Sequence, residues 1–443
     1  MLFRSSQKNP ILHRISKEPF AERVFDVGKL LVTGGKRLKG RAKVQGSKNA
    51  ALPILAATLL CADECVIHNC PRLSDVEASI RILRYLGCQA KREGNTLIID
   101  TRDMSRCDIP SELMHQMRSS IIFLGAVLAR CRRARISSPG GCELGPRPID
   151  LHLSSLREMG IEISEEHGVL ECKADDGLKA AHIALSFPSV GATENILLAA
   201  CVCDGTTILT NAAREPEIVD LADFLVACGA KIDGAGEGTI IIEGVKSLHG
   251  ATHAIIPDRI VAATLMSAAA VTGSDITLEG VCQSHLGAVI PVFIQSGCTI
   301  QSERGDLKIS APYRLKAPKL IRTMPYPGFP TDAQAPLMSM AAVSDGITVF
   351  IENMFASRYK HVTELNRLGA NIKVEGKVAV VDGVRRLLSA QVCAFDLRGA
   401  AALTVAALCA QGESEIQGLP YLERGYEDFE LVLSALGADV KKI

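Results

Sequence analysis

The chain has 443 residues, more than one ordinary core holds, and 47% of them are apolar against 22% charged. Lys plus Arg and Asp plus Glu stand at 49 each, so no overall charge recruits nucleic acid or an anionic membrane. Apolar runs such as Ile121–Ala129 and Ile260–Val271 are too short to span a bilayer, and the 15 scattered cysteines suit a reducing cytoplasm, where thiols serve as small buried apolar groups.

In chain order, residues 1–27 form a basic extension without the long apolar centre of a secretory signal. "KLLVTGGKRLKGRAKVQG" (Lys29–Gly46) reads as strand, turn, strand. "NAALPILAATLL" is a helix of small and aliphatic residues that needs burial on every side. Cys61, Cys65, His68 and Cys70 follow, but their spacing matches no paired-ligand pattern, and "ECVIHNCP" alternates as a strand does. No metal is expected.

From there the chain repeats. A glycine after a helix, followed by two alternating strands around a turn, recurs in "LGCQAKREGNTLIID", "MGIEISEEHGVLECK", "CGAKIDGAGEGTIIIEG", "SGCTIQSERGDLKIS", "LGANIKVEGKVAVVDG" and "LGADVKKI". The glycines are Gly87, Gly160, Gly229, Gly297, Gly369 and Gly437, at intervals of 68 to 73 residues. Before each copy comes a small-residue helix, a polar turn and a strand. The predicted fold is therefore α/β, built from six βαβαββ units, three to a domain. The sixth unit stops one strand short at Ile443, and Lys29–Gly46 is expected to complete it. Residues 48–255 are expected to form one domain, and residues 28–47 with 256–443 the other, with a cleft between them.

The starts of the six small-residue helices carry Lys48–Asn49, Arg118, Ser189–Val190–Gly191, Asp258–Arg259, Asp332 and Asp396–Arg398. Helix N-termini favour anions, so their convergence with Lys48, Arg118 and Arg398 predicts a phosphate or carboxylate site. A first-turn Asp also caps helices, which is the plain reading of Asp332.

One loop is unlike the rest: "SSPGGCELGPRPIDLH", Ser137–His152. Gly140, Gly141 and Gly145 permit unusual backbone angles and Pro139, Pro146 and Pro148 stiffen the ends. Such a segment can swing as a unit and exclude water. Its Cys142 has little apolar sequence around it in which to hide.

"GSKNAALPILAATLL", "MRSSIIFLG", "PGGCELGPRPIDLHL", "PSVGATENILLAA", "NAAREPEIVD", "FPTDAQAPLM", "DLRGAAALTVAAL" and "RGYE" together resemble the enolpyruvyl transferase (EPSP synthase) family over residues 28–443. The likeness is to the branch that acts on UDP-N-acetylglucosamine at the first committed step of peptidoglycan synthesis. It implies a two-domain inside-out α/β barrel. It also implies addition–elimination between phosphoenolpyruvate and the sugar 3-hydroxyl, with phosphate released and no cofactor. By resemblance Lys48, Asn49, Arg118, Arg147 and Arg424 surround phosphoenolpyruvate, Asp332 serves the 3-hydroxyl, and Asp396 and Arg398 join it in catalysis. Cys142 is the reactive cysteine, as proton donor, covalent nucleophile or both. Pro148, Asp150, Leu151 and His152 face the uracil; Ser189, Val190 and Gly191 face the diphosphate; Met354 and Arg358 face the sugar nucleotide. Phe187 and Ser357 depart from the family pattern on that side. The shikimate-pathway branch, whose acceptor is a small phosphorylated ring, needs no uracil segment and no loop cysteine. A paralogue that binds without turnover would lack some of these residues, and none is missing.

Overall fold

A computed structural model describes residues 28–117, 119–137 and 149–443. Residues 1–27, Arg118, and 138–148 with Cys142, Arg147 and Pro148 lie outside the described residues.

The alternating phrases form six four-stranded sheets of one connectivity. In each, the first strand runs parallel to the second, the second antiparallel to the third, and the third antiparallel to the fourth. The first sheet is Thr252–Ala254, Glu64–His68, Thr96–Asp100 and Gln89–Glu93. The second is Asp108–Ile109, Arg133–Ser137, Val169–Lys173 and Glu162–Glu166. The third is His182–Ala184, Thr206–Thr210, Thr239–Glu243 and Lys231–Asp233. The fourth is Lys39–Lys43, Asp275–Glu279, Asp306–Ser310 and Thr299–Glu303. The fifth is Leu320–Arg322, Ile347–Ile351, Val378–Asp382 and Asn371–Glu375. The sixth is Gln391–Cys393, Glu413–Gln417, Lys29–Thr33 and Asp439–Lys442. All six glycines of the repeat have positive φ, between 82° and 103°, the conformation that ends a helix and turns the chain into the next strand.

Only half of the N-terminal strand pair goes where the sequence placed it. Lys29–Thr33 enters the sixth sheet, but Lys39–Lys43 opens the fourth, parallel to Asp275–Glu279. The link cannot close as a hairpin. A Cβ on Gly34 would lie 2.1 Å from the Ala410 carbonyl oxygen, so the chain is pressed against the end of a helix, and the Leu38 N–H bonds Ser274 Oγ at 2.7 Å. The first sheet likewise borrows its opening strand, from Thr252–Ala254.

The small-residue helices are α1 (Lys48–Ala57), α2 (Phe123–Cys131), α3 (Val190–Ala200), α4 (Arg259–Val271), α5 (Thr331–Ala342) and α6 (Leu397–Cys409). They are buried on nearly every side. The first three lie in an apolar core spanning residues 50–255; the other three lie in a second core formed by residues 30–44 and 260–440. Contact is close enough to reach backbone. A Cβ on Gly125 of α2 would fall 2.5 Å from the Asn195 carbonyl oxygen of α3, while Asn195 Oδ1 accepts from the Gly125 N–H at 2.7 Å. Among the described residues no helix is long and apolar enough to cross a membrane, and no group of residues could hold a metal ion.

The chain passes between the cores twice, and the two passages pair with each other. Gly46 bridges Pro257, the Ser47 N–H donates to the Ile256 carbonyl at 2.7 Å, and the Asp258 N–H to the Gln45 carbonyl at 2.9 Å. Gly46 has no room for a side chain, because a Cβ would sit 1.9 Å from the Asn69 carbonyl oxygen. Gly46→Ala should destabilise the protein by about 2 kcal/mol or more, read as a lower urea midpoint; an unchanged midpoint would refute the close packing of the two passages.

Candidate active site

The two passages end at the starts of α1 and α4, and one carboxylate joins them. Asp258 Oδ1 accepts from the Ile260 and Val261 N–H groups at 2.8 and 3.0 Å, while Oδ2 accepts from the Lys48 N–H at 3.1 Å. Asp258 thus caps α4 and also takes the first N–H of α1, beside that helix's own Ser47 cap, so two helix N-termini, one from each core, share one carboxylate. Burial pushes the Asp258 pKa up, against the pull of Arg398 and the N–H donors. Asp396 caps α6 in the same way, its Oδ1 accepting from the Arg398 and Gly399 N–H groups at 3.0 Å.

Around these starts four cations are held by two carboxylates. Asp75 takes Lys48 Nζ at 2.7 Å and a two-pronged contact from Arg424, Nε at 2.9 Å and Nη2 at 3.2 Å. Asp332 takes Arg358 Nη2 at 2.7 Å on one oxygen and Arg398 Nη2 at 2.8 Å on the other. Four cations thus share two carboxylates by direct contact. Two further carboxylates, of Asp258 and Asp396, lie at helix N-termini, whose N–H donors and dipoles offset part of their charge. The arrangement suits a small ligand bearing two negative groups, since Arg presents paired donors to phosphate and carboxylate alike. Buried ion pairs contribute little net stability, so four charged side chains drawn into one cleft point to chemistry.

The environment tunes each group. Burial alone would raise the Asp332 carboxyl; Arg398 and Arg358 overcome it and hold it well below the usual carboxylate range. Asp332 is thus a charged acceptor and a weak proton-taker. It is not the N-cap that sequence pattern allowed: α5 begins at Thr331 behind Pro330, and no side chain caps it. Its side chain stays 26% exposed while both arginines are 3% exposed, so it presents itself to the cleft from a buried cationic bed. Burial lowers the Lys48 pKa, with Arg424 and Arg398 adding to the effect and Asp75 opposing it. Arg398 also donates to the Tyr426 hydroxyl at 3.3 Å, which is shared with Thr264 at 2.9 Å.

A second group lies on the first core. Ser189 caps α3, accepting from the Ala192 N–H at 3.3 Å, with Val190 and Gly191 partly exposed beside it. His152 is buried rather than on a helix surface. Its Nδ1 lies 2.8 Å from Asn195 Nδ2, and its ring fills the space a Cβ on Gly191 would need. Asp150 is exposed; Leu151, Asn49 and Met354 are partly exposed. Phe187 is 42% exposed. A cavity of about 470 Å³ lined by Leu60, Ala129, Arg132, Asp204 and Lys246 sits at the opposite, C-terminal ends of α1, α2 and α3, away from these groups.

Two features escaped the sequence reading. Asp75, on which Lys48 and Arg424 depend, lies in the helix Ser74–Tyr85; its place four residues before buried Ser79 and seven before Ile82 put it on the apolar face, which was the available signal. The other is an acidic group between the cores. Glu217 makes a two-pronged pair with Arg259 at 3.0 and 3.1 Å, and Glu215 accepts from the Tyr326 N–H at 3.3 Å. Burial, together with Glu217 and Glu215, pushes the Glu194 pKa well up. The fragments "GATEN" and "REPE" contained all three glutamates.

A two-domain α/β fold whose helix starts converge on an anion-ready cluster is that of the enolpyruvyl transferases. The family model for EPSP synthase (3-phosphoshikimate 1-carboxyvinyltransferase) matches residues 32–433, and the chain belongs to that family. Similar relatives include UDP-N-acetylglucosamine 1-carboxyvinyltransferase 2 of Caldanaerobacter subterraneus subsp. tengcongensis, 48% identical over 94% of this chain and 100% of its own length. UDP-N-acetylglucosamine 1-carboxyvinyltransferase of Trichlorobacter lovleyi is 46% identical over 94% and 99%. Among solved structures, the enolpyruvyl transferase NikO from Streptomyces tendae superposes with a TM-score of 0.85 at 26% identity, covering 94% of this chain and 98% of its own.

His361 offers a test of the site's electrostatics. It is 2% exposed, neither ring nitrogen has a partner among the described residues, and burial pulls its pKa to about 4 against Asp396. As pH falls from 6.5 to 4 the unfolded chain takes up a proton that the native ring refuses, so stability declines with acid by up to about 3 kcal/mol. Asp75 and Asp332, whose pKa values are depressed, lose their contribution only at lower pH. His361→Asn should flatten the stability profile between pH 6.5 and 4 relative to the parent in urea denaturation; parallel profiles would show that the ring is not buried neutral.

Proposed function

We propose that this protein transfers the enolpyruvyl group of phosphoenolpyruvate to the 3-hydroxyl of UDP-N-acetylglucosamine and releases phosphate, the committed step of peptidoglycan synthesis. The observation that carries this reading is the near full-length similarity, at 46 to 48% identity, to proteins named for that reaction. The gathering of Lys48, Arg424, Arg358 and Arg398 at converging helix starts supports the same reading, because phosphoenolpyruvate bears a phosphate and a carboxylate.

Residues 48–255 and residues 28–47 with 256–443 act as two domains that close on the substrates through the paired passages at Gln45–Lys48 and Ile256–Asp258. Lys48, Arg118, Arg147 and Arg424 hold phosphoenolpyruvate. The sugar 3-hydroxyl donates to Asp332, whose charge orients the oxygen toward C2. That oxygen bonds to C2 while a proton goes to the methylene carbon. Loss of phosphate from C2 and of a proton from the resulting methyl group restores the double bond. Asp332, with its depressed pKa, acts first as an acceptor that orients the hydroxyl, and the proton leaves late. Arg398 and Asp396 fix Asp332 from behind. Cys142 supplies the proton or adds to C2 itself; a thiol with an ordinary pKa near ~8.5 can do either. With Asn49 beside Lys48 on the phosphoenolpyruvate side, Pro148, Asp150, Leu151 and His152 take the uracil side, Ser189, Val190 and Gly191 the diphosphate side, and Met354 and Arg358 the sugar. The fourteen described cysteines are all free thiols, which supports a reducing cytoplasmic setting.

Phosphate should appear from phosphoenolpyruvate only with UDP-N-acetylglucosamine; shikimate 3-phosphate should give none, and the reverse result overturns the assignment. Asp332→Asn should lower kcat by about 10²- to 10⁴-fold with little change in KM. Cys142→Ala should abolish turnover and remove sensitivity to thiol-alkylating epoxides such as fosfomycin; a fully active variant would take the thiol out of the mechanism.

A further inference from the structure

The six sheets are built alike, so their solvent faces can be compared position by position. On the second, Arg133, Arg135, Glu171 and Lys173 point outward; on the fourth, Lys39, Arg41, Glu279 and Lys308 do so. The fifth departs from this pattern. Its outward positions carry Leu320 at 51% exposure, Ile347 at 57%, Val380 at 38% and Val378 at 36%, with Val349 and Ile351 half-buried among them. The register makes them contiguous. One cross-strand row is Leu320, Val349, Val380 and Lys373; the next is Arg322, Ile351, Val378 and Glu375. β-Branched residues suit strands on either face, but the second and fourth sheets reach the same fold with polar outer faces, so folding does not require an apolar one here.

We propose that this face joins two copies of the chain, sheet against sheet. The charge pattern selects the occupant. Arg322 and Glu375 lie at opposite edges of one row, and neither has an ion-pair partner among the described residues. A two-fold axis running along the strands, midway between Ile347–Ile351 and Val378–Asp382, puts each position opposite its mirror position across the sheet. Arg322 of one copy then meets Glu375 of the other, twice by symmetry, Val349 meets Val380, Ile351 meets Val378, and Leu320 meets the aliphatic stem of Lys373. Such an interface is self-complementary, as a closed dimer requires. The third row, Ile347, Asp382 and Asn371, marks the rim, where Asn371 Nδ2 donates to Asp382 at 3.2 Å.

The face is small. Four strands about 4.8 Å apart, with five residues rising about 3.3 Å each, cover roughly 300 Å². A pair of such faces falls below the roughly 1,200 Å² of stable complexes. The dimer is therefore weak and concentration-dependent.

Sedimentation of the full chain between about 1 and 500 µM should show a reversible monomer–dimer equilibrium. Val380→Glu should abolish it. Arg322→Glu and Glu375→Arg should each weaken association by about tenfold or more, and the double variant should restore it. Phosphate release at low concentration and thermal midpoints should be unchanged in all of them, since these side chains are solvent-facing and lie outside the site. A chain that stays monomeric at the highest concentration, leaving the face to a different partner, overturns the proposal. So does a double variant as weak as the singles.

Discussion

Four cations in one cleft repel one another, and the protein meets this with two carboxylates, each shared between two of them. Asp75 carries Lys48 and Arg424; Asp332 carries Arg358 and Arg398. Asp75 and Lys48 come from the side of the first core, and Arg424 comes from the side of the second. The group on Asp75 is thus complete only when both halves are in place. The shared cap at Asp258 does for the helix starts what the shared carboxylates do for the side chains. Positive potential is concentrated by geometry, from dipoles and guanidinium groups that the backbone holds fixed, which is the condition for stabilising charge without reorganising around it.

The six-fold repeat explains how such a site can be assembled at all. Each unit delivers a buried helix whose N-terminus occupies an equivalent place, and burial on all sides makes those helices intolerant of movement. The first residues of each helix are then free to differ. α1 brings a lysine, α3 a serine cap and a glycine, α5 an aspartate, α6 an arginine behind its own aspartate cap. Identical scaffolding with divergent helix starts gives convergence without demanding that any one loop be long.

Much of this was legible in the sequence because the signals were periodic. The six glycines, the alternating tails and the small-residue helices follow from backbone preference and burial, and each of the described elements forms accordingly. Lys48, Asp332, Arg358, Arg398 and Arg424 were found from helix starts and motif resemblance, and the structure brings them together. What escaped was what depends on pairing across distance. Nothing local says that Lys39–Lys43 joins the fourth sheet, since strand pairing is decided by a partner more than two hundred residues away. Asp75 and the glutamates Glu194, Glu215 and Glu217 were overlooked for the same reason. An acidic residue in a helix's first turn looks like ordinary dipole compensation until the cation from another core is seen against it.

The placement of the strand Lys29–Thr33 has a consequence for how the chain is made. It leaves the ribosome ahead of the other described strands, yet it lies between Glu413–Gln417 and Asp439–Lys442, and the Lys29 and Ile443 backbones exchange hydrogen bonds at 2.8 and 2.9 Å. The first core is complete once residue 255 has emerged, and it can consolidate while synthesis continues. The sixth sheet cannot close until Asp439–Lys442 has been made. Through all that time the strand Lys29–Thr33 waits unpaired, tethered to a half already folded. Closing the sixth sheet is therefore the capture of an early segment by a late one, a loop closure that runs from Lys29 to Ile443.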